Sequence, residues 1–242
     1  MELLNLAGKI IGAVQQLNVL LVFVNRFDMI NFHNIDCMDF MKQKPENYYD
    51  LAIVDPPYGI GADRKNSIKK KQSKKSASLS KYYGNQKWDA NIPSDEYFSE
   101  VKRVSEKQII WGANYLNLQG GMLYWHKNVT MPTYSSGELA YLSWKNKIDF
   151  IEITWHGMLQ QNMKNKQKRI HPTEKPIQLY RWLLQNYAKE GDKILDTHGG
   201  SGSIAIACNI EGFDLDICEI DKDYFEASKK RFNIHKSQLK LF

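Results

Sequence analysis

The chain has 242 residues, of which 43% are hydrophobic, and carries a formal net charge of +6 at pH 7. This length suits one α/β domain with a sizeable core and is short for two, so we predict a single domain over residues 1–242. The three cysteines, Cys37, Cys208 and Cys218, are odd in number and lack metal-like spacing. They argue against a disulfide scaffold and favour buried reduced thiols, which fits the cytoplasm.

The N-terminal segment 1–25 repeats apolar residues at alternating spacings of three and four, which predicts a helix with a heptad seam. Polar residues such as Lys9 and Gln15 interrupt the apolar run, so we do not expect a membrane span. The helix could pack on the sheet of its own subunit or form a homodimer contact. Residues 20–24 could instead be a strand.

Asp55-Pro56-Pro57-Tyr58 follows the apolar run 51–54, which reads as a buried strand. The prolines end this strand, so the tetrapeptide forms a rigid turn at a carboxyl end, where open α/β sheets bind ligands. There Asp55 and the Pro56 carbonyl could accept both protons of an amino group on a nucleobase, which frees the nitrogen lone pair for attack on an activated methyl group. The Tyr58 ring could stack on the base, worth roughly 1–3 kcal/mol. A plain strand-ending turn is the alternative.

A second motif, in residues 193–208, reads as a strand, a glycine-rich turn and a helix of small residues. Glycines in such a turn let the backbone approach a ligand closely. Residues 213–218 read as the next strand, and Glu219 at its end could meet the hydroxyl pair of a ribose. By itself this pattern suits a nicotinamide cofactor equally well. Together with the tetrapeptide, it favours S-adenosylmethionine.

Strand-like and helix-like segments alternate through the rest of the chain, without internal repeats. The alternation predicts an α/β fold with a mixed, mostly parallel sheet and helices on both faces. Helices are predicted at 96–103 and 176–187, and strands at 108–111, 122–125 and 138–144.

Two further segments are candidates for contact with DNA. The basic segment 62–87 is either a solvated loop or a loop that closes over phosphates; the lysines in question are Lys69, Lys70, Lys71, Lys74 and Lys75. Residues 145–170, which include Trp155 and His156, could contribute to target recognition, although a tryptophan is more often part of the core.

In these motifs the chain resembles the S-adenosylmethionine-dependent DNA amino-methyltransferases, specifically the beta group, whose permuted order places the catalytic tetrapeptide before the glycine loop. Residues 171–176, His-Pro-Thr-Glu-Lys-Pro, stand just before the glycine loop, as the preceding motif of that group does. Residues 108–115 and 155–160 are similar to small adenine methyltransferases of phages and prophages. The resemblance implies a circularly permuted Rossmann-like methyltransferase fold and a cytoplasmic, bacterial or phage-encoded protein.

The resemblance also implies roles for individual residues, with no metal involved. Asp55, Pro56, Pro57 and Tyr58 would be catalytic. Asp36 would lie over the adenine of the cofactor, and Lys175 would pair with the cofactor's carboxylate. The full S-adenosylmethionine site would comprise Asp36, Asp55, Thr173, Lys175, Asp196, His198, Gly200, Ser201, Gly202, Ser203 and Glu219.

His198 departs from the family, which usually has a phenylalanine there. Histidine titrates near neutral pH, so it could make cofactor binding pH-dependent. Alternatively, the imidazole simply replaces the phenyl face.

The function implied is methyl transfer to the N6 amine of an adenine flipped out of double-stranded DNA, for example in restriction-modification. An aspartate as first residue of the tetrapeptide favours adenine, since many cytosine-N4 enzymes have serine there. Two alternatives stay open at this point: cytosine-N4 methylation on the same scaffold, and a non-catalytic or partner-dependent DNA-binding subunit.

Overall fold

The computed structural model describes residues 30–61, 89, 91–129, 135–156, 159–167, 169–171 and 173–239. The predictions for the N-terminal apolar segment 1–25 and for the whole basic segment 62–87, with Lys69, Lys70, Lys71, Lys74 and Lys75, fall outside these residues.

The described residues form ten strands and five helices. The strands are β1 Ile30–His33, β2 Tyr49–Val54, β3 Ser105–Trp111, β4 Gly121–His126, β5 Gly137–Leu142, β6 Ile148–Glu152, β7 Trp155–His156, β8 Leu159–Gln160, β9 Lys193–Asp196 and β10 Asp214–Cys218. The helices are α1 Cys37–Met41, α2 Asp95–Val104, α3 Ile177–Tyr187, α4 Ser203–Glu211 and α5 Lys222–Leu239.

Eight of the strands form one sheet in the order β1-β10-β9-β2-β3-β5-β4-β6, and β7 pairs with β8 in a separate hairpin. In this order, the first five strands, β1, β10, β9, β2 and β3, are all parallel to their neighbours within the set. β5 runs antiparallel to both of its neighbours, and β4 and β6 are parallel. The sheet is therefore mixed and mostly parallel, as the alternation of segments predicted.

Helices cover both faces of the sheet because the central strands are apolar on both sides. Leu51 and Ile53 of β2 belong to a core with residues of α3, α4 and α5. Ala52 and Val54, which point to the opposite face, belong to a second core with residues of α1 and α2. The prediction of helices on both faces is thus confirmed.

Three local predictions can be compared with the structure. The strand predicted at 138–144 ends at Leu142, because the chain turns there and the Lys145 amide donates to the Leu142 carbonyl oxygen. Trp155 is a core residue, 7% exposed, and its indole nitrogen donates to the Glu174 carbonyl oxygen at 2.7 Å. Cys208 and Cys218 are buried, whereas Cys37 is only partly buried.

Within the described ranges, no helix is long and apolar enough to cross a bilayer. These ranges also contain no group of three or more His, Cys, Asp and Glu residues that could hold a metal ion.

Candidate active site

Both sequence motifs meet at the carboxyl edge of the sheet. Asp55 follows β2, Asp196 ends β9 and Glu219 follows β10, and these strands are parallel neighbours. A cavity of about 1200 Å³ opens at this edge. Of the predicted site residues, ten line it: Asp55, Pro56, Pro57, Tyr58, Thr173, Lys175, His198, Gly200, Ser201 and Glu219.

The turn after β2 is held by a residue that the sequence did not reveal. The carboxylate oxygen Oδ1 of Asp89 accepts hydrogen bonds from the amides of Tyr58, at 2.7 Å, and Gly59, at 2.9 Å. Asp89 is only 1% exposed. Gly59 has a φ of +71°, a left-handed conformation that favours glycine. Asp89 thus fixes the backbone that presents the tetrapeptide to the cavity.

The Tyr58 side chain joins the catalytic turn to the next strand. Its hydroxyl donates a hydrogen bond to Asp55, and its ring stacks on Tyr115 with centroids 5.3 Å apart and planes 16° apart. A Cβ on Gly112 would lie 2.2 Å from the Tyr58 ring, so only glycine leaves room for it. Burial, reinforced by the Asp55 charge, raises the pKa of Tyr58 well above its usual value. The hydroxyl therefore stays protonated and acts as a donor.

Lys175 lies among protein carboxylates at the base of the cavity. Its ammonium nitrogen is 2.5 Å from Asp55 Oδ2, and 3.3 Å from both Glu138 Oε2 and the Tyr58 hydroxyl. The residue is 4% exposed. Burial alone would lower the pKa of Lys175, but the charges of Asp55 and Glu138 outweigh it and raise the pKa. Lys175 is therefore a charged residue paired within the protein.

Glu138, on β5, is a site residue that the sequence analysis missed. One of its oxygens contacts the Lys127 ammonium and the other faces Lys175. Burial would raise the pKa of Glu138, but Lys175 and Lys127 outweigh it and lower the pKa to about 2. An acidic residue within the otherwise apolar strand Gly137–Leu142 was the one signal that could have identified it.

On the other side of the cavity, Glu219 shapes the glycine turn. Its oxygen Oε2 accepts a hydrogen bond from the Gly200 amide, and Oε1 accepts one from the Asp221 amide, both at 2.8 Å. Gly200 and Gly202 adopt left-handed conformations with φ of +46° and +67°. A Cβ on Gly199 would lie 2.8 Å from Ile217 Cγ1, so this glycine lets the turn pack against β10.

Four residues that the resemblance assigns to the cofactor site do not line the cavity: Asp36, Asp196, Gly202 and Ser203. Asp36 accepts a hydrogen bond from the Met38 amide at 2.7 Å and caps α1. Asp196 accepts one from the His198 amide at 3.0 Å, and Ser203 is buried at the start of α4. These side chains support the backbone around the cavity.

Arg231 of α5 ties residues 173–176 to the glycine turn. Its guanidinium donates to the Ser201 carbonyl oxygen at 3.0 Å and to Ser203 Oγ at 3.1 Å. It also pairs with Glu174 Oε1 at 2.9 Å. This arginine comes from a helix in which no sequence motif was recognised, so its role emerges only from the packing.

His198 lines the cavity as a neutral imidazole. Burial lowers the pKa of His198 to about 4. Its Nδ1 lies 2.9 Å from Thr197 Oγ1, and its ring meets the Tyr97 ring edge-on at 5.4 Å. This environment favours the alternative in which the imidazole replaces an aromatic face.

We expect His198 to make no contribution to the pH dependence of cofactor binding near neutral pH. Because its pKa is about 4, the ring charges only as the pH falls toward 4. The ratio of the Kd values of wild type and His198→Phe for S-adenosylhomocysteine, measured by calorimetry, should therefore be constant between pH 6 and 8. An affinity that weakens below pH 7 in wild type alone would contradict a neutral His198.

The chain is similar in sequence to known DNA methyltransferases. Residues 121–230 match the N6_N4 family model described as DNA methylase. Type II methyltransferase M2.MboI of Moraxella bovis is 25% identical over 240 residues, which cover 84% of this chain and 87% of that protein. Type II methyltransferase M.HpaI of Haemophilus parainfluenzae is 38% identical over 72 residues, covering 28% of this chain and 22% of that protein.

Solved structures share the architecture at low sequence identity. The M1.HpyAVI–SAM complex has a TM-score of 0.53 and 21% identity, covering 84% of this chain and 100% of that chain. PvuII DNA methyltransferase, described as cytosine-N4-specific, has a TM-score of 0.55 and 13% identity, covering 84% of this chain and 86% of that chain. The fold is a Rossmann-like methyltransferase fold. Together with the sequence matches, this methyltransferase fold supports a DNA methyltransferase.

Proposed function

We propose that this protein transfers a methyl group from S-adenosylmethionine to the N6 amine of an adenine flipped out of double-stranded DNA. One observation carries the proposal. The catalytic turn, with Asp55 and Tyr58, and the glycine turn, with Gly200 and Glu219, line the same cavity. Donor and acceptor sites are therefore adjacent, as direct methyl transfer requires.

The residues on the glycine-turn side fit a nucleoside cofactor. The atoms nearest to a Cβ on Gly200 would be those of the His171 ring, at 3.8–3.9 Å, so the turn leaves room in front of its backbone. Glu219 reaches this space and would bind the ribose hydroxyls, while Thr173 would contact the amino-acid end. Bound S-adenosylmethionine would supply a methyl group already activated by the sulfonium charge. The volume of about 1200 Å³ exceeds a typical single-ligand pocket, so it can also admit a base.

The residues on the catalytic-turn side would activate the amine. Asp55 and the carbonyl oxygen of Pro56 would each accept a hydrogen bond from the amino group, which moves the nitrogen toward sp³ geometry. Asp55 is also the carboxylate placed to take the proton that the nitrogen loses after transfer. Tyr58 holds Asp55 through its hydroxyl. Exclusion of water by the bound base and cofactor would strengthen these contacts.

Adenine is the base that we favour, because Asp55 is the first residue of the tetrapeptide. Cytosine presents a similar exocyclic amine, and the N6_N4 family model spans both chemistries by its name. Cytosine-N4 methylation is therefore the second candidate. The matches to type II methyltransferases support a role in restriction-modification.

The decisive experiment is product analysis. Purified protein is incubated with unmethylated DNA and S-adenosylmethionine, and the nucleosides are separated and identified by mass spectrometry. N6-methyladenine supports the proposal, and N4-methylcytosine would keep the mechanism while changing the base. If S-adenosylhomocysteine binds but no methylated nucleoside forms, the protein is a DNA-binding subunit that needs a partner, or it acts on RNA.

We further propose that the lysines between positions 69 and 75 contact DNA phosphates. They belong to a chain with a formal net charge of +6. Each phosphate contact adds about one unit to the salt dependence of binding, so these residues would make DNA affinity fall steeply with salt.

Substitutions of Tyr58 should separate its ring from its hydroxyl. Tyr58→Phe keeps the ring against Tyr115 and loses the hydroxyl contacts with Asp55 and Lys175, so we expect a kcat within about tenfold of wild type. Tyr58→Ala also loses base stacking of roughly 1–3 kcal/mol, so kcat/KM should fall by a further ten- to hundredfold. Steady-state methylation assays check both values. Equal losses in the two variants would assign the effect to the hydroxyl instead.

A further inference from the structure

Four charged side chains form a network, and three of them, Asp55, Glu138 and Lys175, line the cavity. Two carboxylates, Asp55 and Glu138, alternate with two ammonium groups, Lys175 and Lys127. The formal charges sum to zero, which limits the cost of placing the buried Lys175 and its partly buried neighbours together. Of these four, only Asp55 belongs to the catalytic tetrapeptide.

Lys175 is shared between the two carboxylates. Its ammonium lies 2.5 Å from Asp55 and 3.3 Å from Glu138. Because Coulomb attraction falls as the inverse of distance, the Glu138 contact has about three quarters of the strength of the Asp55 contact at the same dielectric constant. Glu138 therefore competes substantially for the ammonium.

This competition matters for the proposed chemistry. Asp55 already accepts a hydrogen bond from Tyr58 and contacts Lys175. If Asp55 alone neutralised the Lys175 ammonium, its carboxylate would accept a further hydrogen bond only weakly. Glu138 lies beside the same ammonium and neutralises part of its charge, so Asp55 remains a good hydrogen-bond acceptor.

We propose that Glu138 is a positioning residue for methyl transfer: by sharing the Lys175 ammonium, it leaves Asp55 available to accept a hydrogen bond from the amino group of the target base. This inference rests on the proposed methyl transfer. Glu138 acts through Lys175 and has no direct role in the reaction.

The strand order supports action on the side of the target base. Glu138 lies on β5, two strands beyond β2 and on the side away from β9 and β10. The glycine turn and Glu219, which would hold the cofactor, follow β9 and β10. Loss of Glu138 should therefore affect turnover more than cofactor binding.

The test compares Glu138→Gln, Glu138→Asp and the double variant Glu138→Gln/Lys127→Met with wild type. For each protein, kcat, the KM for DNA and the Kd for S-adenosylhomocysteine are measured, and cooperative thermal unfolding verifies folding. Glu152→Gln, an exposed carboxylate on the neighbouring part of the sheet, is the matched control.

Glu138→Gln should lower kcat about ten- to a hundredfold, as small misplacements of catalytic groups do. Its Kd for S-adenosylhomocysteine and KM for DNA should stay within threefold of wild type. Glu138→Asp keeps the negative charge, but its side chain is one methylene shorter and the carboxylate lies farther from the Lys175 ammonium. Its kcat should therefore lie between those of Glu138→Gln and wild type.

The double variant distinguishes positioning from simple charge balance. If Glu138 only neutralises Lys127, removal of both charges should restore the wild-type kcat, and the proposal is wrong. If Glu138 acts through Lys175, the double variant should stay as slow as Glu138→Gln.

The remaining outcomes are also decisive. A wild-type kcat in folded Glu138→Gln overturns the positioning role and leaves methyl transfer intact. If Glu138→Gln does not fold, a wild-type kcat in Glu138→Asp overturns it equally. A wild-type protein without methylated product overturns the proposed function itself, and the inference with it.

Discussion

Asp55→Asn should lower kcat for methyl transfer by about a hundred- to ten-thousandfold, the range typical of a lost acid-base group. The amide keeps the size of the carboxylate but loses its charge, so it polarises the amino group poorly and cannot take the proton released from nitrogen. The affinity for S-adenosylhomocysteine should stay within about threefold of the wild-type value. Gly200 and Glu219 follow β9 and β10, whereas Asp55 follows β2, so the substitution does not touch them.

Steady-state methylation with labelled S-adenosylmethionine measures the loss, and calorimetry measures cofactor binding. Asp39→Asn is the matched control, since Asp39 is an exposed carboxylate on α1. Wild-type turnover in Asp55→Asn would show that the catalytic residue has been assigned wrongly. A parallel loss of cofactor affinity would instead indicate a disturbed cavity.

Lys175→Met should lower the free energy of unfolding at pH 7 by about 3–5 kcal/mol, the usual effect of removing one partner from a buried ion pair. The substitution preserves an unbranched, apolar side chain of similar length. It leaves Asp55 facing Glu138 without the ammonium that now lies between them. Methyl transfer should be lost together with stability, because Asp55 loses its ordered surroundings.

The pH dependence of the Lys175→Met effect follows from Glu138. In wild type the pKa of Glu138 is lowered to about 2, so its stabilising contribution is present above the unfolded pKa and is lost as the pH falls toward 2. Without Lys175 the pKa of Glu138 should rise, and protonation should relieve the repulsion at a higher pH. The difference in unfolding free energy between wild type and variant should therefore shrink as the pH falls from 7 to 4.

Urea denaturation at several pH values tests this prediction. Lys145→Met removes a partly exposed ion pair with Asp149 and should change the unfolding free energy by less than about 1 kcal/mol. Equal effects of Lys175→Met and Lys145→Met would contradict a central role for the buried ammonium.

Local sequence signals located the two motifs well. The strand at 49–54 was predicted because a short apolar run stops at two prolines, and the prediction missed only its first two residues. Helices α2 and α3 were predicted within one residue at each end. These elements are encoded by neighbouring residues, so a single sequence is enough to find them.

Individual contacts were less predictable. Lys175 is predicted to meet a cofactor carboxylate, and within the protein it contacts Asp55 and Glu138. Asp36 is predicted to lie over the cofactor, and within the protein it caps α1. Both residues were assigned from a motif, and a motif specifies a position along the chain without the direction of the side chain.

The sequence by itself determined the α/β architecture and the meeting of the catalytic turn with the glycine turn, because parallel strands bring their carboxyl ends to one edge. Only the tertiary structure decided what surrounds the reactive groups. Asp89, Glu138 and Arg231 lie about 30 residues or more along the chain from the site residues Tyr58, Lys175 and Ser201 that they respectively contact. Burial, another tertiary property, keeps His198 neutral. Hydrophobic pattern and turn residues are local, whereas hydrogen-bond partners and pKa values depend on which distant side chains the packing brings together.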